Sequence, residues 1–133
     1  MFPCLLVSVS TCFRVYLFTS IPVSVYTPAM LLAIDIGNTN LTLGLYNGNE
    51  LGAHWRLATD HARMPDEYGL QFQGLLQNAK VTAKQLTGIC LASVVPQLTG
   101  RVIQACREYL DLDPFVIDVG IKTGVKVKYE DPR

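Results

Sequence analysis

The apolar positions of this chain change rhythm several times, and each change predicts an element. Leu31, Leu32, Ala33 and Ile34 form a short apolar run that leads into Asp35. Gly37, Asn38, Thr39 and Asn40 make a polar turn, after which Leu41, Leu43 and Leu45 alternate with Thr42, Gly44 and Tyr46. A period of two is the signature of a strand, and a brief apolar run bounded by turn residues is that of a buried one. Asn47-Gly48-Asn49 marks a second turn. Leu51, Ala53, Trp55 and Leu57 then alternate with Gly52, His54, Arg56 and Ala58. Three strands joined by tight turns predict an antiparallel meander.

From Pro65 onward the period lengthens. Tyr68, Phe72, Leu75, Leu76 and Ala79 fall at helical spacing, which gives one apolar face. Pro65 suits a first helical turn, and Asp66 and Glu67 complement its positive end. The same two acids could be read as a catalytic carboxylate pair, but capping explains them more simply. Gly88 to Val95 is an almost unbroken apolar run, the pattern of a buried parallel strand, and Pro96 ends it. A second helix follows, with Leu98, Val102, Ala105, Cys106, Tyr109 and Leu110 inward. Pro114 introduces another short strand, Phe115 to Val119, and Thr123 to Tyr129 alternates as a further one.

The first turn is where chemistry concentrates. Gly37 lets backbone approach a ligand closely, and turn N–H groups can converge on phosphate oxygens as an anion-binding nest. The hydroxyls of Thr39 and Thr42 and the amides of Asn38 and Asn40 can add hydrogen bonds. Asp35 would repel a bare phosphate, so its place beside such a turn implies an intervening Mg²⁺ that keeps several waters. A nucleoside triphosphate suits that arrangement. An ordinary hairpin, with Asn and Gly merely satisfying turn geometry, is the competing account.

Composition narrows the classes. The chain has 133 residues and a formal net charge of zero, enough for one domain with a core. Its basic residues are scattered, which points away from nucleic acid and anionic membranes. Cys4, Cys12, Cys90 and Cys106 show neither Cys-x-x-Cys spacing nor a nearby His, so neither a zinc site nor a disulfide framework is expected. Cys90 and Cys106 read as small core residues, and a reducing, cytoplasmic compartment fits. His54 reads as a solvent-facing strand residue and His61 as a loop residue, and neither is given a role.

Asp35-Ile36-Gly37-Asn38-Thr39-Asn40, directly after Leu31-Leu32-Ala33-Ile34, resembles the first phosphate motif of the type III pantothenate kinases, members of the actin, Hsp70 and sugar-kinase superfamily. Trp55-Arg56, Asp66-Glu67-Tyr68, Ser93-Val94-Val95-Pro96, and Thr123-Gly124-Val125 running to Tyr129-Glu130-Asp131-Pro132 follow in the family's order. The resemblance covers about residues 30–133. It implies an α/β fold: a ribonuclease-H-like, actin-like ATPase half-domain, with a three-stranded antiparallel meander plus parallel strands and crossover helices. The periodicity agrees with it.

The resemblance also implies a function: transfer of the ATP γ-phosphate to pantothenate, giving 4′-phosphopantothenate at the start of coenzyme A biosynthesis. Asp35 would hold Mg²⁺, and Asp35, Ile36, Gly37, Asn38, Thr39, Asn40, Leu41 and Thr42 would bind nucleotide. Tyr129 matches the tyrosine that contacts pantothenate. The family's base lies in a Gly-Ala-Asp-Arg motif expected beyond Arg133, as do the ligands of a monovalent cation, K⁺ or NH₄⁺. A homodimer is implied as well. Residues 30–133 thus read as the first half-domain, truncated before the second, and by themselves as an inactive fragment. A non-catalytic accessory member of the family, or a superfamily kinase for another small molecule, are the alternative functions.

Residues 1–29 contrast with the rest, being apolar with Arg14 as the single charged side chain. A secretory signal would need a basic start, and Pro22 and Pro28 interrupt any span. The expectation is an extension outside the fold, with Met30 the physiological start.

Overall fold

The computed structural model describes residues 29–117. The predicted strand at Thr123 to Tyr129, Tyr129 itself and the extension before Ala29 lie outside them. Three strands come first: β1 (Met30–Ile36), β2 (Asn40–Asn47) and β3 (Glu50–Ala58). They are followed by α1 (Pro65–Asn78), β4 (Leu86–Ser93), α2 (Pro96–Leu110) and β5 (Phe115–Ile117). A one-turn 3₁₀ helix at Ala83–Gln85, which the periodicity does not announce, leads into β4. The strands form a single sheet in the order β3-β2-β1-β4-β5. β2 is antiparallel to both β1 and β3, whereas β1, β4 and β5 run parallel. This mixed sheet with its crossover helices is the half-domain expected from the sequence.

Alternation along β1 assigns its faces. Leu32, Ile34 and Ile36 join the main core with Leu41, Leu43 and Leu45 of β2 and with Tyr68, Phe72, Leu76, Leu98, Val102, Ala105 and Leu110 of the two helices. Leu31 and Ala33 instead meet Tyr46 and Cys90 in a smaller cluster on the other face. No described helix contributes to that cluster. β4 is apolar on both sides because it serves both clusters, as a strand inside a parallel pair should. Burial pushes the Cys106 thiol up to about 12, so it stays protonated as a small core residue.

Two expectations need correction. Leu51 was expected to share a face with Ala53, Trp55 and Leu57. The β2–β3 register, however, shifts between Gly44↔His54 and Tyr46↔Leu51, a bulge with its extra residue in β3. A bulge reverses the alternation. Ala53, Trp55 and Leu57 pack against the helix-side core, while Leu51 lies over Gly44 on the opposite face. Tyr109 was expected inward, but it is only partly buried. Its ring covers Gly69 of α1, where even a methyl group would collide with it, and its hydroxyl donates to Asp66 at 2.7 Å. It clamps the two helices together from the side.

Local chemistry sets the helix ends. Glu67 accepts a hydrogen bond from the Met64 N–H at 2.7 Å, half of a capping box. Both acids of the suspected carboxylate pair therefore already have partners. At the other end of α1, Val81 N–H bonds Leu76 O and Lys80 N–H bonds Gln77 O, with Lys80 at φ 59°. That is a Schellman ending in which lysine occupies the usual glycine position.

Candidate functional site

Asp35 lies on the face away from the helices, because it follows Leu31 and Ala33 at a period of two. Register then places its neighbours. Thr42 of β2 is opposite Asp35, Arg56 of β3 is opposite Thr42, and Ala92 of β4 flanks Asp35 on the other side. Arg56, Thr42, Asp35 and Ala92 thus form one row across four strands, at about 5 Å per strand. The row sits at the carboxyl ends of β1 and β4, where the sheet changes from antiparallel to parallel. Open α/β sheets favour ligands at such places.

The Asp35 carboxylate makes no ion pair or hydrogen bond with another described residue. Burial alone raises its pKa above the ordinary value. A half-buried carboxylate without a partner is a charge that a cation would offset. Among the described residues no cluster of three or more His, Cys, Asp or Glu could hold a metal. One carboxylate, completed by water and phosphate oxygens, is a normal donor set for Mg²⁺ but not for zinc. The residues present therefore fit Mg²⁺.

The turn from β1 to β2 is small and braced. Gly37 N–H donates to Asn40 O at 2.9 Å. A Cβ on Gly37 would stand 2.9 Å from that same oxygen, so glycine is required here by close approach within the chain. The nest expected from the sequence loses this donor. Asn38, Thr39 and Asn40 are exposed, and among the described residues the N–H groups of Asn38 and Thr39 make no backbone hydrogen bond. Ile36 and Leu41 are fully buried in the helix-side core and can offer a ligand only their backbone. Thr42 is half-buried beside Asp35.

Sequence reasoning missed Thr59. Immediately after β3, its N–H donates to Thr39 O at 2.9 Å and its hydroxyl to Gly37 O at 2.7 Å. The loop that follows is gripped by both helices. Tyr68 of α1 donates to Asp60 O at 2.9 Å, and Arg101 of α2 donates to His61 O at 2.7 Å and Arg63 O at 3.1 Å. Arg56 was noticed only as part of a motif; the register is what puts it in the Asp35 row. Ser93 has a scaffold role. Its hydroxyl accepts from Val95 N–H at 3.0 Å and lies 2.9 Å from the Thr99 hydroxyl, which shapes the entry to α2.

A five-stranded mixed sheet with two crossover helices, and a braced polar turn beside a lone carboxylate, define an actin-like ATPase half-domain. More narrowly, residues 31–133 match the family model described as type III pantothenate kinase, and the chain belongs to that family. The chain is 45% identical over 104 residues to the type III pantothenate kinases of Anaeromyxobacter sp. (strain K) and Moorella thermoacetica, covering 78% of this chain and 41% of each relative. Identity to the Geobacillus thermodenitrificans enzyme is 39% over 104 residues, covering 78% of this chain and 40% of the relative. The chain therefore spans about two-fifths of the length of the curated relatives it matches. Among solved structures, T. thermophilus RuvC in complex with a Holliday junction substrate aligns at a TM-score of 0.46. Its identity is 14%, over 67% of this chain and 64% of that one, too slight a likeness to bear on function.

Proposed function

We propose that this chain supplies the first phosphate-binding half of an ATP-dependent pantothenate kinase. The observation that carries the proposal is the half-buried Asp35 carboxylate, without a partner among the described residues, beside a turn that presents the amides of Asn38 and Thr39. In the reaction the pantothenate hydroxyl oxygen bonds the γ-phosphorus, the bond to the β–γ bridging oxygen breaks, and the hydroxyl proton passes to a base. Such catalysis depends on alignment and charge neutralisation. Asn38 and Thr39 would orient the β- and γ-phosphates, Asp35 would hold Mg²⁺ through water, and the Arg56 guanidinium adds positive charge to the same row. When bound, Mg²⁺ supplies neutralisation of the phosphate charge.

The remaining parts of the proposal rest on the family. They are a pantothenate contact from Tyr129, a base in the Gly-Ala-Asp-Arg segment, K⁺ or NH₄⁺, homodimerisation and a cytoplasmic setting. Among the described residues no helix is long and apolar enough to cross a membrane. A half-domain does not enclose ATP, so the 133-residue chain by itself should not turn over pantothenate. The test is a coupled assay with Mg²⁺, K⁺ and pantothenate on this chain and on one extended to the relatives' length. Pantothenate-dependent ADP release by the extended chain only is expected. ATP turnover by the extended chain that ignores pantothenate would replace this proposal with a kinase or ATPase for another substrate.

A further inference from the structure

We infer that Thr59 is the positioning residue of the phosphate turn, an inference that rests on the proposed function of that turn. A two-residue turn exposes carbonyl oxygens as well as N–H groups, and carbonyl oxygens repel an anion. Thr59 engages two of them at once: its hydroxyl takes Gly37 O at 2.7 Å and its N–H takes Thr39 O at 2.9 Å. Gly37 N–H takes a third, Asn40 O, at 2.9 Å. Of the backbone groups of Gly37, Asn38 and Thr39, the amides of Asn38 and Thr39 and the carbonyl of Asn38 then remain without a hydrogen bond to a described residue, two donors to one acceptor. Donors fixed before binding are worth more than donors that must be ordered by it.

The brace is anchored well away from the ligand. Thr59 is followed by Asp60, whose carbonyl accepts from Tyr68, a residue with no exposed surface at the centre of the core. Arg101 reaches across from α2 to the carbonyls of His61 and Arg63. Both helices thereby fix the segment that fixes the turn. A serine could replace Thr59, since the hydroxyl carries the bond. Valine, with the same shape and no donor, could not.

The experiment uses the 133-residue chain, with backbone amide NMR and Mg²⁺·ADP as the probe. In the wild type, the Asn38 and Thr39 amides should shift on titration, because amide shifts register even weak binding. Thr59→Ser should keep the affinity within about twofold. Thr59→Val should weaken it about tenfold, the scale of one hydrogen bond, and should speed hydrogen exchange at Gly37. Thr59→Ala repeats the comparison without the second methyl, in case valine packs badly. Wild-type affinity and Gly37 exchange retained in both Val and Ala variants would overturn the inference alone. An equal loss in Thr59→Ser would do the same, since the hydroxyl would then not be the agent. A wild-type chain whose turn amides ignore Mg²⁺·ADP would sink the phosphate function of the turn, and this inference with it.

Discussion

The meander contains two tight turns, and they are built on different principles. The Asn47–Gly48 turn takes its conformation from its own residues, with one outside hydrogen bond, from Gly48 N–H to Ala29 O at 3.1 Å. Gly48 has φ +61° with open space where a side chain would stand, so the glycine is there for backbone conformation. The Gly37–Asn40 turn is made by its surroundings. Gly37 is pressed against Asn40 O, and the carbonyls of Gly37 and Thr39 are held by Thr59. Nearby sits the half-buried Asp35 carboxylate, which has no partner among the described residues. A turn that only reverses the chain needs a permissive residue. A turn that must present donors to a ligand needs bracing from outside.

The largest effect that separates the two should be on turnover. In a chain extended to the relatives' length, Asp35→Asn keeps the size and turn preference of the residue but removes its charge. Catalytic turnover should fall by about 10²-fold or more, while Asn47→Asp and Gly48→Asn at the passive turn leave it nearly unchanged. Steady-state rates at saturating ATP and pantothenate check this. Near-native turnover and Mg²⁺ dependence in Asp35→Asn would remove the functional distinction between the turns.

Next in size is a stability difference between the two glycines. Gly37→Asn forces a Cβ into the space taken by the Asn40 carbonyl, which is backbone and cannot swing aside. Overpacking of this kind typically costs about 1–3 kcal/mol. Gly48→Asn keeps a residue type that visits positive φ and meets no neighbour, so its cost should stay within about 0.5 kcal/mol. Denaturant midpoints for the two variants measure the contrast. Equal costs would mean that both turns are merely conformational.

The same contrast explains what could be read from the sequence. Asn47-Gly48 announces its turn because the cause lies within those residues. The strand, turn, strand pattern around Asp35 was legible for the same reason, as were the face of α1 and the apolar run of β4. Thr59 was not, because its partner Gly37 lies 22 residues earlier and nothing local marks the bond. The bulge in β3 also escaped, since Leu51 fits the alternation and only pairing with Tyr46 turns it to the other face. Tyr109 fell at a helical core position, yet the notch at Gly69 that receives its ring is formed by another helix. Periodicity reports burial along one element. It does not report what a second element places opposite.

The smallest effect has the most telling sign. Burial raises the Asp35 pKa in the folded protein, with no compensating partner among the described residues. Folding therefore favours the protonated acid, and the charged form is the costly one. Below the ordinary value near 3.8 the group is protonated whether folded or unfolded and contributes no pH dependence. As pH rises from there through the raised folded value, the unfolded chain loses its proton first, and the folded state loses stability until the folded carboxyl has ionised as well. Asp35→Asn cannot ionise, so ligand-free variant and wild type should converge in acid, and the variant should be the more stable at pH 7. Asn47→Asp, at the exposed passive turn, should show no comparable window. Thermal melts of both variants across pH 3 to 7 measure it. A wild type that gains stability over Asp35→Asn as pH rises would show that the carboxylate has a protein partner. In that case Asp35 would be a structural acid, and the turn beside it an ordinary one.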